Sequence, residues 1–497
     1  MSHLIKNNKT TLKLLRIFFY IFILSTIIVG TYYYAGNKVN IIIFALLSNL
    51  MFLFIFSKKS YFFEIFFGGL LWLGFWYKFF IIIIFKNYQF HEGAGIYNAL
   101  DFNAKINILD GALMTATFGI TGFILACLIK NIFLNNFYND NEIKKSPENS
   151  LDLKIFSIFC LIFIIIFLTI TFSNFFLGIY QRGLLPSFKV HFTISAIYKW
   201  LLLFGFSSFV AFSFIFVLKS KLKTYMFSIF SIIETFLTNI SFLSRGMIFN
   251  IFAIFIGLYK SNKIFKLKLS LNFFLIYLFG ILIFFYLSVV SVNYLRANIF
   301  FVKLDSEYIN KQNISKNNTE ISKNNTKIFK KYNTPKKAYL EFLSLSQTRW
   351  VGIDGLVAVE SNNLKSYDLF KQSFKDKFDK KKFPFYERKI QNRKKDLKNN
   401  TMQYGITTPG IFAFLYFTGS KFFVFLLTFV LSFLILTIER YIFIIFNNPI
   451  LCSVLSQVLA YRLIHFGYMP QNTYLLLSSF MLTVVGFLII KKIFFKK

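Results

Sequence analysis

Residues 155–175 read IFSIFCLIFIIIFLTITFSNF, 21 positions without a charged side chain. A helix rises only about 1.5 Å per residue, so about 20 mostly apolar residues are needed to cross a bilayer's hydrocarbon core. No water is available there to satisfy backbone N–H and C=O groups, so such a run must fold as helix. Comparable runs lie at 13–34, 39–57, 61–85, 109–130, 194–218, 224–241, 246–259, 270–293, 419–438, 450–467 and 473–491, which makes about 12 spans in all. The run at 246–259 is short and that at 450–467 rather polar; 404–418 reads as a partial or re-entrant helix. The expected fold class is an all-α polytopic membrane protein.

Composition agrees. Of 497 residues, 56% are hydrophobic and 15% charged, with a mean hydropathy of +0.58. Soluble domains carry about 25% charged residues, so an ordinary soluble enzyme is excluded. The net charge is +35. In a soluble chain that would point to nucleic acid. Here basic loops that fix orientation and meet anionic lipid headgroups account for it, so membrane lipids are the expected partners and nucleic acid is not. Cys127, Cys160 and Cys452 fall in apolar runs and form no framework, and His3, His91, His191 and His465 are far apart. No metal-ligand spacing and no phosphate-cradling glycine loop is present, so neither a metal nor a cofactor is expected. Nothing near Met1 resembles a short cleavable signal, and the first helix reads as retained.

Orientation is read from the short connections. With the N-terminus inside, the inner segments carry Lys6, Lys9, Lys13 and Arg16; Lys58 and Lys59; Lys144 and Lys145; Lys219, Lys221 and Lys223; Lys260, Lys263, Lys266 and Lys268; and finally Lys491, Lys492, Lys496 and Lys497. Only the inner segment near Arg440 is weakly basic. Both termini are then cytoplasmic. The chain divides into helices 1–9 (1–293), one large external loop (294–408) and helices 10–12 (409–497). The loop opens with a tandem heptad, ISKNNTE and ISKNNTK at 314–327, which reads as a flexible surface excursion. Its stretch 337–361 is apolar and aromatic, and is expected to be partly helical and to pack back on the membrane domain. The stretch 371–398 is densely basic with interleaved Phe and Tyr, either a glycan or headgroup site or an ordinary solvated surface.

Several charges stand where charge is costly or topologically misplaced. Arg245, in SFLSRGMIFN, falls at an outer turn, where a topogenic Arg is not expected; the plain alternative is an interfacial Arg that snorkels. Arg182 lies in the connection YQRGLLPSF, Arg296 comes just after the ninth span, and Arg349 sits in SQTRWVGIDG. Arg462 and His465, three apart in AYRLIHFGY, share a helix face. Guanidinium groups recognise phosphate bidentately and stay charged, so arginines converging at the outer face would form a pyrophosphate clamp. Glu234 lies mid-span, about 16 Å from Arg245 along a continuous helix, and is paired, protonated or catalytic. Glu64 reads as structural. His465 and Asp354 are candidates for acid–base work.

The stretch SRGMIFNIFAIFIGLYK resembles the charged turn and adjoining helix of Wzy-type O-antigen and oligosaccharide repeat-unit polymerases. TTPGIFAFLYFTGSKFFVF (407–425) looks like their segment after the large loop, and RWVGIDGLVAVE is similar to a loop segment of some members. About 50 residues carry this likeness; the long external loop late in a chain of about a dozen spans fits as well. The resemblance implies a GT-C-like fold and a glycosyltransferase of the bacterial inner membrane with its site facing the periplasm. Its substrates would be undecaprenyl-pyrophosphate-linked oligosaccharides, with a chain-length regulator as a further partner. Arg245 matches the family's charged turn and Arg349 its loop segment; Arg182, Arg296 and Arg462 rest on topology and charge alone. The family's paired external arginine-and-glycine loop patterns do not align cleanly. The first outer loop has no acid, and the second has Glu92 and Asp101 but no DxD, so a metal-independent reaction is expected. An O-antigen ligase uses the same donor with another acceptor. A lipid-linked oligosaccharide flippase should show matching halves, whereas the spans here divide about nine to three. A receptor or non-enzymatic assembly scaffold is the remaining alternative.

Overall fold

The computed structural model describes residues 2–57, 59–90, 94–133, 153–182, 186–218, 220–267, 269–312, 350–376, 384–391, 408–467, 470 and 473–494. Every regular element among them is helical. The first nine are α1 (Ser2–Tyr33), α2 (Lys38–Phe54), α3 (Phe62–Phe85), α4 (Phe102–Phe133), α5 (Leu153–Leu177), α6 (Phe192–Val217), α7 (Lys221–Phe242), α8 (Ile248–Ile264) and α9 (Leu271–Gln312). Four short helices come next: α10 (Ile353–Glu360), α11 (Tyr367–Lys375), α12 (Phe385–Lys389) and α13 (Ile411–Leu415). The chain then runs through α14 (Lys421–Phe446), α15 (Pro449–Ile464) and α16 (Thr473–Phe494). Each of the 12 apolar runs lies on a helix. Among the described residues, 8 helices are long and apolar enough to cross a membrane: α3 to α7, α9, α14 and α16; α1 (over Ile17–Tyr33), α2 and α15 are apolar but shorter. Their outward faces are apolar, as on α5 (Leu161, Ile165) and α9 (Leu275, Ile276, Phe279), which suits lipid and not water.

Two apolar cores hold the bundle. One gathers side chains of α2, α3, α4, α10, α13 and α14, the other those of α5 to α9. The sixteen-residue α15 joins them. Leu451, Cys452 and Leu455 face the first core, Ile450 and Val454 the second, and 13 of its 16 residues are buried. Gly257 lets α8 approach α15 closely: a Cβ there would stand 2.7 Å from the Ile450 Cα. Small residues permit such contacts between membrane helices. Beside it, the Ser453 hydroxyl donates to the Ala253 carbonyl (2.6 Å).

Two helices carry a π turn, α3 at Leu73–Tyr77 and α6 at Leu201–Gly205. The first receives the chain returning from the long connection. Val351 and Gly352 lie against Gly74, where a side chain on either glycine would overlap the opposing segment's backbone. Lys78, one turn on, donates to the Trp350 carbonyl (2.7 Å) and pairs with Asp354 (3.0 Å). Gly74 is 11 residues from the Phe85 end of α3, so this segment dips about 16 Å into the bundle. The expectation that 337–361 packs back on the membrane domain can be traced over 350–361; 337–349 lie outside the described residues. A boundary at 293 does not match a break in structure, since α9 runs on unbroken to Gln312. Within 371–398, Phe385, Tyr386 and Ile390 are buried and Arg388 pairs with Asp376 (2.5 Å), so this part is anchored.

Alternating connections define two ends. The upper end carries 34–37, 178–182, 186–191 and 243–247, the lower 55–57, 59–61, 218, 220 and 447–448. Near the lower end, Glu64 pairs with Lys130 (2.6 Å), and Glu439 accepts the first N–H groups of α3, from Phe62 (2.7 Å) and Phe63 (2.8 Å). Glu64 is therefore structural in position, as its sequence context suggests.

Candidate functional site

At the upper end, α7 stops at Leu243, whose φ of 49° turns the chain back. Asn239 organises the turn at 243–247, which carries Arg245. Its carbonyl accepts from the Ser244 N–H (3.0 Å) and its side-chain oxygen from the Met247 N–H (3.2 Å). The connection after α5 is strapped to the same place. Asn174 donates to the Ser241 carbonyl (2.9 Å) and accepts from Tyr180 N–H (2.8 Å), while Arg182 N–H donates to the Phe242 carbonyl (3.0 Å). Buried amide side chains thus fasten residues 180–182 to the end of α7 and order the turn at 243–247.

The Arg182 guanidinium lies 3.5 Å from the Ser244 hydroxyl and 5.6 Å from the centre of the Tyr461 ring. Gly246 leaves it room, since a Cβ there would stand 3.0 Å from its Nη1. Arg296, 25 residues into α9, donates to the Arg182 carbonyl (2.5 Å). That position is about 38 Å along α9, beyond a hydrocarbon thickness of about 30 Å. Arg462 ends α15 beside Tyr461, within electrostatic reach of Arg182. Neighbouring Tyr461 pushes the Arg182 pKa up and more than offsets the burial that would lower it. Tyr461 also stacks on His465 (4.1 Å) and packs on Phe249 (5.5 Å), which in turn meets Trp350 (6.4 Å).

His465 Nδ1 faces the Tyr461 carbonyl at 2.9 Å. A carbonyl only accepts, so the proton lies on Nδ1, and a neutral ring keeps its lone pair on Nε2. The four arginines 182, 245, 296 and 462 are all half-buried. Among the described residues, no carboxylate pairs with Arg182 or Arg462. Like charges gathered at the edge of a low-dielectric bundle repel, and an anion relieves that repulsion.

Of the residues singled out by sequence, Arg182, Arg245, Arg296, Arg462 and His465 come to this one end. Glu234 does not: it is buried eight residues below the end of α7, among hydroxyl groups. Asp354 is engaged by Lys78 at the π turn of α3. Arg349 lies outside the described residues, directly before Trp350. Sequence reasoning missed Tyr461, Ser244 and the ordering amides Asn174 and Asn239. It also missed Lys78, although a lysine inside the apolar run 61–85 was a readable signal. No protein-family profile, no curated protein and no solved structure matches this chain.

Proposed function

We propose that the chain is a polymerase of undecaprenyl-pyrophosphate-linked oligosaccharide repeat units, with 12 spans in a GT-C-like arrangement and its upper end facing the periplasm. The observation that carries this reading is the convergence of Arg182 and Arg245, from two connections, with Arg296 of α9 and Arg462 of α15 at one end of the bundle. The resemblance of 244–260 and 407–425 to the Wzy-type polymerases supplies the substrate class.

In this reading the guanidinium groups hold the pyrophosphate of the carrier and stabilise the charge that grows on it as it leaves. The acceptor sugar hydroxyl attacks the anomeric carbon of the growing chain. Its new C–O bond replaces the bond to the pyrophosphate oxygen, and undecaprenyl pyrophosphate departs. The hydroxyl proton passes to His465 Nε2, whose tautomer the Tyr461 carbonyl fixes. An oxocarbenium-like transition state asks little of that base. The apolar flanks of the bundle accommodate the prenyl tail.

The test is purified protein in nanodiscs with a matched lipid-linked repeat unit, products resolved on a gel. A ladder from the wild type that disappears in Arg182→Ala, with protein level and fold unchanged, supports the reading. No ladder from a verified substrate overturns it, and transfer of a preformed chain to a lipid-core acceptor instead identifies a ligase.

A further inference from the structure

Helix α7 is built inside out. Of its ten buried residues, eight are polar: Thr224, Ser228, Ser231, Glu234, Thr235, Thr238, Asn239 and Ser241. Its outward face is apolar, with Leu222, Met226, Ile229 and Ile233 exposed. A spanning helix that turns its polar face inward gives up apolar packing there, and an ionisable residue on that face calls for a functional account.

Glu234 is only 1% exposed. Its 13-residue offset from Lys221 puts it about 20 Å above the lower end of α7 and about 12 Å below the upper, at mid-depth. Its partners are neutral hydroxyls. Ser207 of α6 donates to it at 3.2 Å, as do Thr235 and Thr238. The elements packed on α7 bring little else. From α8 comes the Asn250 amide, 3.2 Å from Ser207; from α5, Thr171 and Asn174, higher up; from α9, Tyr277, which is bonded to Ser231 (2.6 Å) and is the one titratable group facing the carboxyl among the described residues. No lysine, arginine or histidine among the described residues pairs with it. The other two buried glutamates of the membrane helices differ. Glu64 has Lys130, and Glu439 has two backbone N–H groups at the start of a helix.

A carboxylate without a cation is disfavoured at such a depth, and a proton removes the charge. The surrounding hydroxyls suit both states. Each can donate to the ionised carboxylate, and each can turn to accept from the protonated acid. We infer that Glu234 is a proton-binding site in the middle of the bundle, exchanging its proton with solvent along the hydroxyl-lined face of α7. The bond that forms and breaks is the carboxyl O–H; the proton comes from and returns to water through Ser231 and Tyr277 below or Thr238 and Ser241 above. This inference does not rest on the polymerase reading.

The test is infrared spectroscopy of the full-length protein in nanodiscs across a pH series. The wild type should show the carbonyl stretch of a protonated acid, declining about tenfold per pH unit once past its midpoint. Glu234→Gln should lose that band, and Glu234→Asp, which keeps the acid, should shift it. Spectra of wild type and Glu234→Gln that coincide at every pH overturn the proposal, as does a wild-type band that does not respond to pH. Because the pH response is read on the wild type, a variant that fails to fold leaves the proposal open to refutation.

Discussion

Arg182 shows how one residue acts through both its backbone and its side chain. Its N–H fastens the 178–182 connection to α7, its carbonyl receives Arg296, and its guanidinium faces Ser244 and Tyr461. Arg182→Ala leaves the backbone bonds and removes only the cation. If the site stabilises a leaving pyrophosphate, turnover should fall about a hundredfold or more, measured as ladder formation at saturating substrate. Arg182→Lys should recover little, since an ammonium cannot reproduce the planar fork. A different expectation attaches to Glu64 and Lys130, both essentially buried. Lys130→Met alone should cost about 3–5 kcal/mol because it strands a buried carboxylate. Adding Glu64→Gln should restore part of that, as a double-mutant cycle of thermal unfolding in detergent would report. Single charges were the legible part of the site. Each arginine stood out because it interrupts an apolar context, although 280 residues separate Arg182 from Arg462. Tyr461 was not legible, being one of 27 tyrosines in an aromatic-rich chain, with nothing local to mark it.

At the scale of elements, the docking of 350–354 onto the π turn of α3 is one contact that ties the long connection to the membrane domain. Gly74 and Gly352 meet backbone to backbone, so Gly74→Val must push the incoming strand away. Overpacking of this kind should destabilise by about 1–3 kcal/mol, read as a lowered unfolding midpoint. It should also strain the Lys78–Asp354 pair beside it. Apolar periodicity located the helices because hydropathy reports lipid exposure. It could not show where a helix takes on an extra residue per turn, nor that α9 continues past Arg296 to Gln312, because beyond the hydrocarbon region a helix no longer needs apolar residues. The return of 350–361 was readable from its aromatic character, but its depth depends on two glycines, Gly74 and Gly352, far apart in the chain.

For the molecule as a whole, alternation of basic connections predicts sidedness, and this can be checked directly. In oriented vesicles, a membrane-impermeant thiol reagent should reach Ser187→Cys from one face and Ser57→Cys only from the other, both positions being exposed. Labelling of both from the same side would refute the proposed 12-span course. The native cysteines leave this readout clear, since Cys127 and Cys452 are buried and Cys160 lies within α5. A helix that touches both cores, α15, begins only at Pro449. Ribosomes deliver helices from the N-terminus, so in the proposed 12-span course the nine helices before the long connection enter the bilayer with the α15 position vacant. They must wait there, polar faces such as that of α7 included, until the last tenth of the chain arrives. Until that moment lipid, or another membrane protein, has to occupy the slot between the two halves. Nonsense truncation after 420 should therefore cost far more than the loss of three helices suggests.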